Sequence, residues 1–238
     1  AWCMTMDKEK TAIAVGTEDG FICTFKLNSE GLDFDKLLDR HEKRILSICW
    51  YQKDQHSFIV GGSIDFIKIW NYKTLHCVDN IRLGKSELVV WSLAVLDDFT
   101  IISGDSSGTT SFWNGKTATL ISSYQAHKSD VLTVSASHNQ MFVYSSGVDP
   151  VIHVFKKHQN TWVTSTDLHL HTHDVRTLRC AKPNWLFSGG VDTYLMKSLT
   201  EHPPYTQLRF APDFTSKIHF SNHKILFQFD NYLELWAL

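Results

Sequence analysis

Phe58–Trp70 reads FIVGGSIDFIKIW. An apolar run, Phe58 to Val60, meets the small residues Gly61, Gly62 and Ser63. Asp65 follows, and an alternating segment then closes on the large aromatic Trp70. Apolar period two on both sides of a Gly/Ser break predicts two β-strands joined by a tight turn.

Looser copies of this unit run through the whole chain. The residues closing each alternating segment are Phe25, Trp70, Trp113, Phe155, Ser198 and Trp236, at intervals of 45, 43, 42, 43 and 38. A period of about 40–45 residues with four strands per unit predicts an all-β fold, the WD40-type β-propeller. The expected units are 1–40, 41–84, 85–126, 127–170, 171–212 and 213–238, about six blades of four strands, within a larger or tandem propeller. The last unit reads as three strands only. The chain opens AWCMTMDKEK, which resembles neither a signal nor a transit peptide and lacks an initiator Met. The expectation is therefore an internal slice of a longer chain.

Composition narrows the function classes. Of 238 residues, 43% are hydrophobic and 20% charged, as in a globular chain. The 23 basic and 25 acidic residues leave a formal charge of −2, which disfavours a general nucleic-acid coat but not a local basic patch. No apolar run approaches the ~18–20 residues needed to span a bilayer, so no membrane partner is expected. The five cysteines, Cys3, Cys23, Cys49, Cys77 and Cys180, form no C-x-x-C pair and read as reduced, buried thiols.

In a WD40 blade a His before the first strand, a Ser on the second, an Asp in the next turn and a Trp on the third form a hydrogen-bonded set. Such a buried set holds only when each member is satisfied. Here His41, Ser63, Asp65 and Trp70 are assigned to the second unit, with Asp65 one position closer to the Trp than elsewhere. His127, Ser145 and Asp149 serve the fourth, and His173, Ser188 and Asp192 the fifth. Trp113 closes the third, with Ser107 in the Asp position. Asp19 marks the turn of the first unit, and Asp230 and Trp236 belong to the sixth. The spacing from Asp to closing residue is 6 in four units, 19 to 25, 149 to 155, 192 to 198 and 230 to 236. That regularity makes these carboxylates turn-holding groups, not catalysts.

Three features invite a chemical reading. Gly104-Asp105-Ser106-Ser107-Gly108 matches the G-x-S-x-G nucleophile elbow, but that elbow needs a helix after the Ser and TTSFW reads as a strand. His169, His171 and His173 alternate in DLHLHTH, where three imidazoles on one strand face hold zinc. His173 is already assigned to the repeat, so no metal is expected. Arg40, Lys43, Arg44, Lys128 and Arg176 cluster before first strands, a candidate surface for RNA phosphate or an acidic partner. No phosphate-cradling glycine motif occurs, and no cofactor or small-molecule substrate is expected.

The segments ILSICW, GGSIDF, WSLAVLDDFTIISGDSSG, HTHDVRTL, SGGVDTYL and LFQFDNYLELWAL, in that order, resemble the cirhin family of WD40-repeat proteins associated with U3 small nucleolar RNA. The resemblance spans nearly the whole chain. It implies a non-catalytic scaffold of the nucleolar small-subunit processome, acting in pre-18S rRNA processing. It also implies WD40 and helical-repeat partner subunits and contact with the pre-rRNA 5′ spacer. Alternatives from the residues themselves are a general WD40 adaptor in another complex, such as a ubiquitin ligase or signalling assembly, and a hydrolase at Ser106.

Overall fold

The computed structural model describes residues 1–84, 86–181, 184–199, 205–210, 217–221, 224–228 and 233–237, with backbone alone for 205–210, 219–221, 225, 236 and 237. Among the described residues every regular element is a β-strand. No helix among the described residues is long and apolar enough to cross a membrane.

The strands form antiparallel meanders, each paired with its sequence neighbours. Sheet one holds β1 (Cys3–Met6), β2 (Ala12–Gly16), β3 (Ile22–Leu27) and β4 (Leu32–Leu37). Sheet two holds β5 (Ser47–Lys53), β6 (His56–Gly62), β7 (Phe66–Asn71) and β8 (Cys77–Arg82). Sheet three holds β9 (Val90–Val95), β10 (Thr100–Asp105), β11 (Thr109–Asn114) and β12 (Thr119–Gln125). Sheet four holds β13 (Val131–Ala136), β14 (Phe142–Gly147), β15 (Asp149–His158) and β16 (Thr161–Thr164). Sheet five holds β17 (Val175–Ala181), β18 (Trp185–Gly190), β19 (Tyr194–Leu199) and β20 (Tyr205–Phe210). Sheet six has three strands, β21 (Lys217–Ser221), β22 (Lys224–Gln228) and β23 (Leu233–Ala237). These are β-propeller blades; among the described residues five hold four strands and one holds three.

The chain divides into two compact units, residues 1–106 with 111–123, and residues 107–110 with 124–238. In the first, the facing sides of sheets one and two bury Ala14, Ile22, Ile45, Ile48, Ile59 and Trp70. Those of sheets two and three bury Val60, Ile67, Ile69, Val90, Ile101 and Trp113. Adjacent strand residues such as Ile59 and Val60 thus serve opposite faces, the period-two alternation that both covered faces require. In the second unit, Tyr144, Ile152, Val175, Leu178 and Met196 fill the seam of sheets four and five. Phe187, Leu195, Ile218 and Phe227 fill that of sheets five and six. Each fully buried side chain of this size contributes about 1.5–3 kcal/mol.

Turn chemistry sets where the second and third strands meet. Gly20, Gly108, Thr193 and Asp65 all have positive φ (81°, 84°, 62° and 71°) in this turn. At Gly20 a Cβ would sit 2.0 Å from the His41 carbonyl oxygen, and at Gly108 one would sit 2.3 Å from that of His127. Both glycines are fixed by close backbone approach as well as by conformation.

Candidate interaction surface

The buried polar sets decide how rigidly the blade ends are held. In sheet four, His127 Nδ1 lies 2.9 Å from Asp149 and Nε2 lies 2.7 Å from Ser145 Oγ. Both ring nitrogens are therefore used. In sheet five the same geometry is built on His171, not on His173. His171 Nδ1 is 3.0 Å from Asp192, and Nε2 is 2.8 Å from Ser188 Oγ. His173 is exposed and contacts the Thr172 hydroxyl. The assignment of His173 is thereby corrected. The signal that identifies His171 is its distance from the first strand. His41, His127 and His171 each stand four residues before a fully buried apolar residue, Ile45, Val131 and Val175.

The set assigned to the second blade does not form. Ser63 Oγ donates to the Arg44 carbonyl at 2.6 Å, and Asp65 receives Lys43 Nζ at 2.7 Å and the Leu88 N–H at 3.1 Å. Trp70 Nε1 donates to the Asp39 carbonyl at 2.9 Å. His41 is buried with neither ring nitrogen hydrogen-bonded. The cause is local. The chain between the paired residues Gly61 and Lys68 is one residue shorter than between Ser145 and His153, so Asp65 takes the left-handed position that Gly20, Gly108 and Thr193 fill. Gly61, not Ser63, stands opposite Ile48, as Ser145 stands opposite Val134 and Ser188 opposite Leu178. In the third blade Trp113 Nε1 donates to Ser103 Oγ at 2.9 Å, a serine that sequence reasoning passed over. Asp230 lies outside the described residues; Trp236 falls within β23, where the backbone alone is described.

His41 makes a pH prediction. Burial, helped by the nearby Lys68 and Lys43 charges, lowers its pKa from 6.5 to about 4. The folded state holds the neutral ring, whereas the unfolded chain takes a proton below 6.5. Stability is therefore full above that pH and falls as pH drops toward 4, by about 3 kcal/mol when complete. His127 and His171 shift the same way, because burial outweighs the pull of their Asp partners. The urea midpoint should decline from pH 7.5 to pH 5, with a shallower slope in His41→Gln. A flat profile in the unsubstituted protein contradicts this.

The features that invited chemistry resolve into structure. Ser106 Oγ accepts the Val89 N–H at 3.0 Å, and the strand β11 follows it where an elbow needs a helix. Of the DLHLHTH histidines, His171 is buried while His169 and His173 are exposed, so they share no strand face. A different trio, His127, Asp149 and His153, brings ligand-type atoms within 4.8 Å of one another. Its groups are already matched, His127 as above and His153 Nδ1 by Asp167 at 2.9 Å.

The basic candidates are largely paired. Arg40 Nε donates to the Asp19 carbonyl at 2.8 Å, with its guanidinium 5.2 Å from the Phe21 ring centre. Lys43 pairs with Asp65, Arg44 with Glu18 at 3.7 Å, and Arg176 with Asp174 at 3.9 Å. Lys128 is exposed. Arg40, Lys43 and Arg44 belong to the first compact unit, Lys128 and Arg176 to the second. Such exposed pairs are worth about 0–1 kcal/mol each.

No family model matches the chain. Among curated proteins it is 32% identical over its whole length to U3 small nucleolar RNA-associated protein 4 homolog of Mus musculus and 33% identical to that of Homo sapiens. It spans 37% of the length of each of these relatives. Over 82% of the chain it is 34% identical to U3 small nucleolar RNA-associated protein 4 of Schizosaccharomyces pombe, covering 29% of that protein. From animals to a fission yeast, then, what this set of propeller blades resembles is a stretch of proteins named for their association with U3 small nucleolar RNA.

Proposed function

We propose that the chain is a non-catalytic WD40 scaffold of ribosome biogenesis, within the small-subunit processome that carries U3 RNA and matures pre-18S rRNA. The observation that supports this most is the end-to-end similarity to proteins named for U3 association. The fold agrees with it physically. Sheets packed face to face make a rigid frame, their connecting loops carry recognition, and a rigid surface loses little entropy on binding. The cirhin resemblance is the finer form of the same reading. The partners it implies are other WD40 and helical-repeat subunits, with the nucleolus as the site of action and the pre-rRNA 5′ spacer as an RNA contact. The test is affinity purification of the tagged protein from nuclear extract. Recovery of processome subunits is expected. Recovery of a ubiquitin-ligase or signalling complex in their place overturns the reading.

A further inference from the structure

The turns β1–β2, β5–β6 and β7–β8 lie at the strand ends opposite Arg40, Lys43 and Arg44. Together they line a pocket of about 500 Å³ within the first compact unit. Its walls carry Lys8, Lys53 and Lys73, with Gln52, His56 and Tyr72. Lys53 Nζ touches the Asp97 carbonyl at 3.2 Å, and none of the three ammonium groups has an ion-pair partner among the described residues. Glu9 and Asp54 line the pocket too, leaving one net positive charge.

His56 is exposed, and it ends a stack of aromatic rings. It lies parallel to Phe58, at 7° and 6.1 Å between centres. Phe58 lies 14° from Phe99 at 5.3 Å, and Phe99 lies 20° from Tyr51 at 4.2 Å. Lys53 and His56 are opposed across the hairpin, so one charge and the stack's free end are set side by side.

We propose that single-stranded RNA lies across this hairpin tip, with phosphates on Lys8 and Lys73 in the pocket and on Lys53 at its rim, and one base stacked on His56 on the face of sheet two that carries the aromatic stack. Backbone neutralisation by lysines beside an aromatic platform is how proteins hold unpaired strands without reading sequence. Glu9 and Asp54 can accept from exocyclic base amines. An acidic peptide uses the lysines but gains nothing from the stack. The proposal deepens the scaffold reading by naming an RNA contact, and rests on it only for the choice of RNA as the nucleic acid.

Anisotropy of a labelled ten-nucleotide oligouridine tests it directly. Affinity should fall with salt, at a slope of about −2 for three phosphates. His56→Ala should weaken binding about fivefold or more, and His56→Trp should retain it. Substituting Lys8, Lys53 and Lys73 by Gln should remove most of the salt slope, with the circular dichroism spectrum unchanged. Three outcomes overturn the proposal: no binding at 50 mM salt, indifference to both sets of substitutions, or competition by oligoglutamate as strong as by unlabelled oligouridine. If processome subunits still copurify while oligouridine fails to bind, the pocket is refuted and the scaffold reading stands.

Discussion

Trp70→Ala should cost about 3–5 kcal/mol of folding stability. The side chain is 1% exposed and packs among Ala14, Ile22, Ile48 and Ile59 between sheets one and two. Its indole N–H satisfies the Asp39 carbonyl at 2.9 Å. Removing it opens a cavity and strands a backbone acceptor. Trp70→Phe, which keeps a ring but loses the bond, should fall well short of that cost. Urea unfolding of the three proteins measures the difference. A loss below about 1 kcal/mol for the alanine variant contradicts the packing described.

The second large effect separates two histidines only two residues apart. His171→Ala leaves the buried Ser188 hydroxyl and the Asp192 carboxylate without their imidazole. Unsatisfied buried polar groups cost about 1–3 kcal/mol each, more when charged, so a loss of about 2–4 kcal/mol is expected. His173→Ala, at an exposed site, should stay within about 0.5 kcal/mol. Thermal or urea midpoints compare them, and the opposite order contradicts the assignment of His171.

These two residues mark how far the sequence could be read. Trp70 was legible because strand closure by a large aromatic repeats every 42 to 45 residues over most of the chain, and that repeat carries the blade architecture. His171 was obscured because DLHLHTH offers three imidazoles within about 13 Å of strand-like spacing. Choosing among them needs the register to Val175, which the blade geometry supplies. Asp65 misled for a related reason. One residue missing from a turn is enough to move a carboxylate from the buried set to a surface lysine. The pairing of the basic rim was hidden as well: a sequence shows the charges of Lys43 and Arg44 but not that Asp65 and Glu18 fold against them. The lysine pocket was out of reach altogether, since its three turns lie between residues 8 and 73 and meet only when sheets one and two pack.

The measurement that bears most directly on the central claim is ultraviolet crosslinking and immunoprecipitation of the protein tagged at its own locus, with sequencing of the bound RNA. The account predicts enrichment of U3 RNA and of the pre-rRNA 5′ spacer over messenger RNA. An RNA profile without rRNA precursors and without U3 contradicts it, and leaves a propeller scaffold whose partners belong to another assembly.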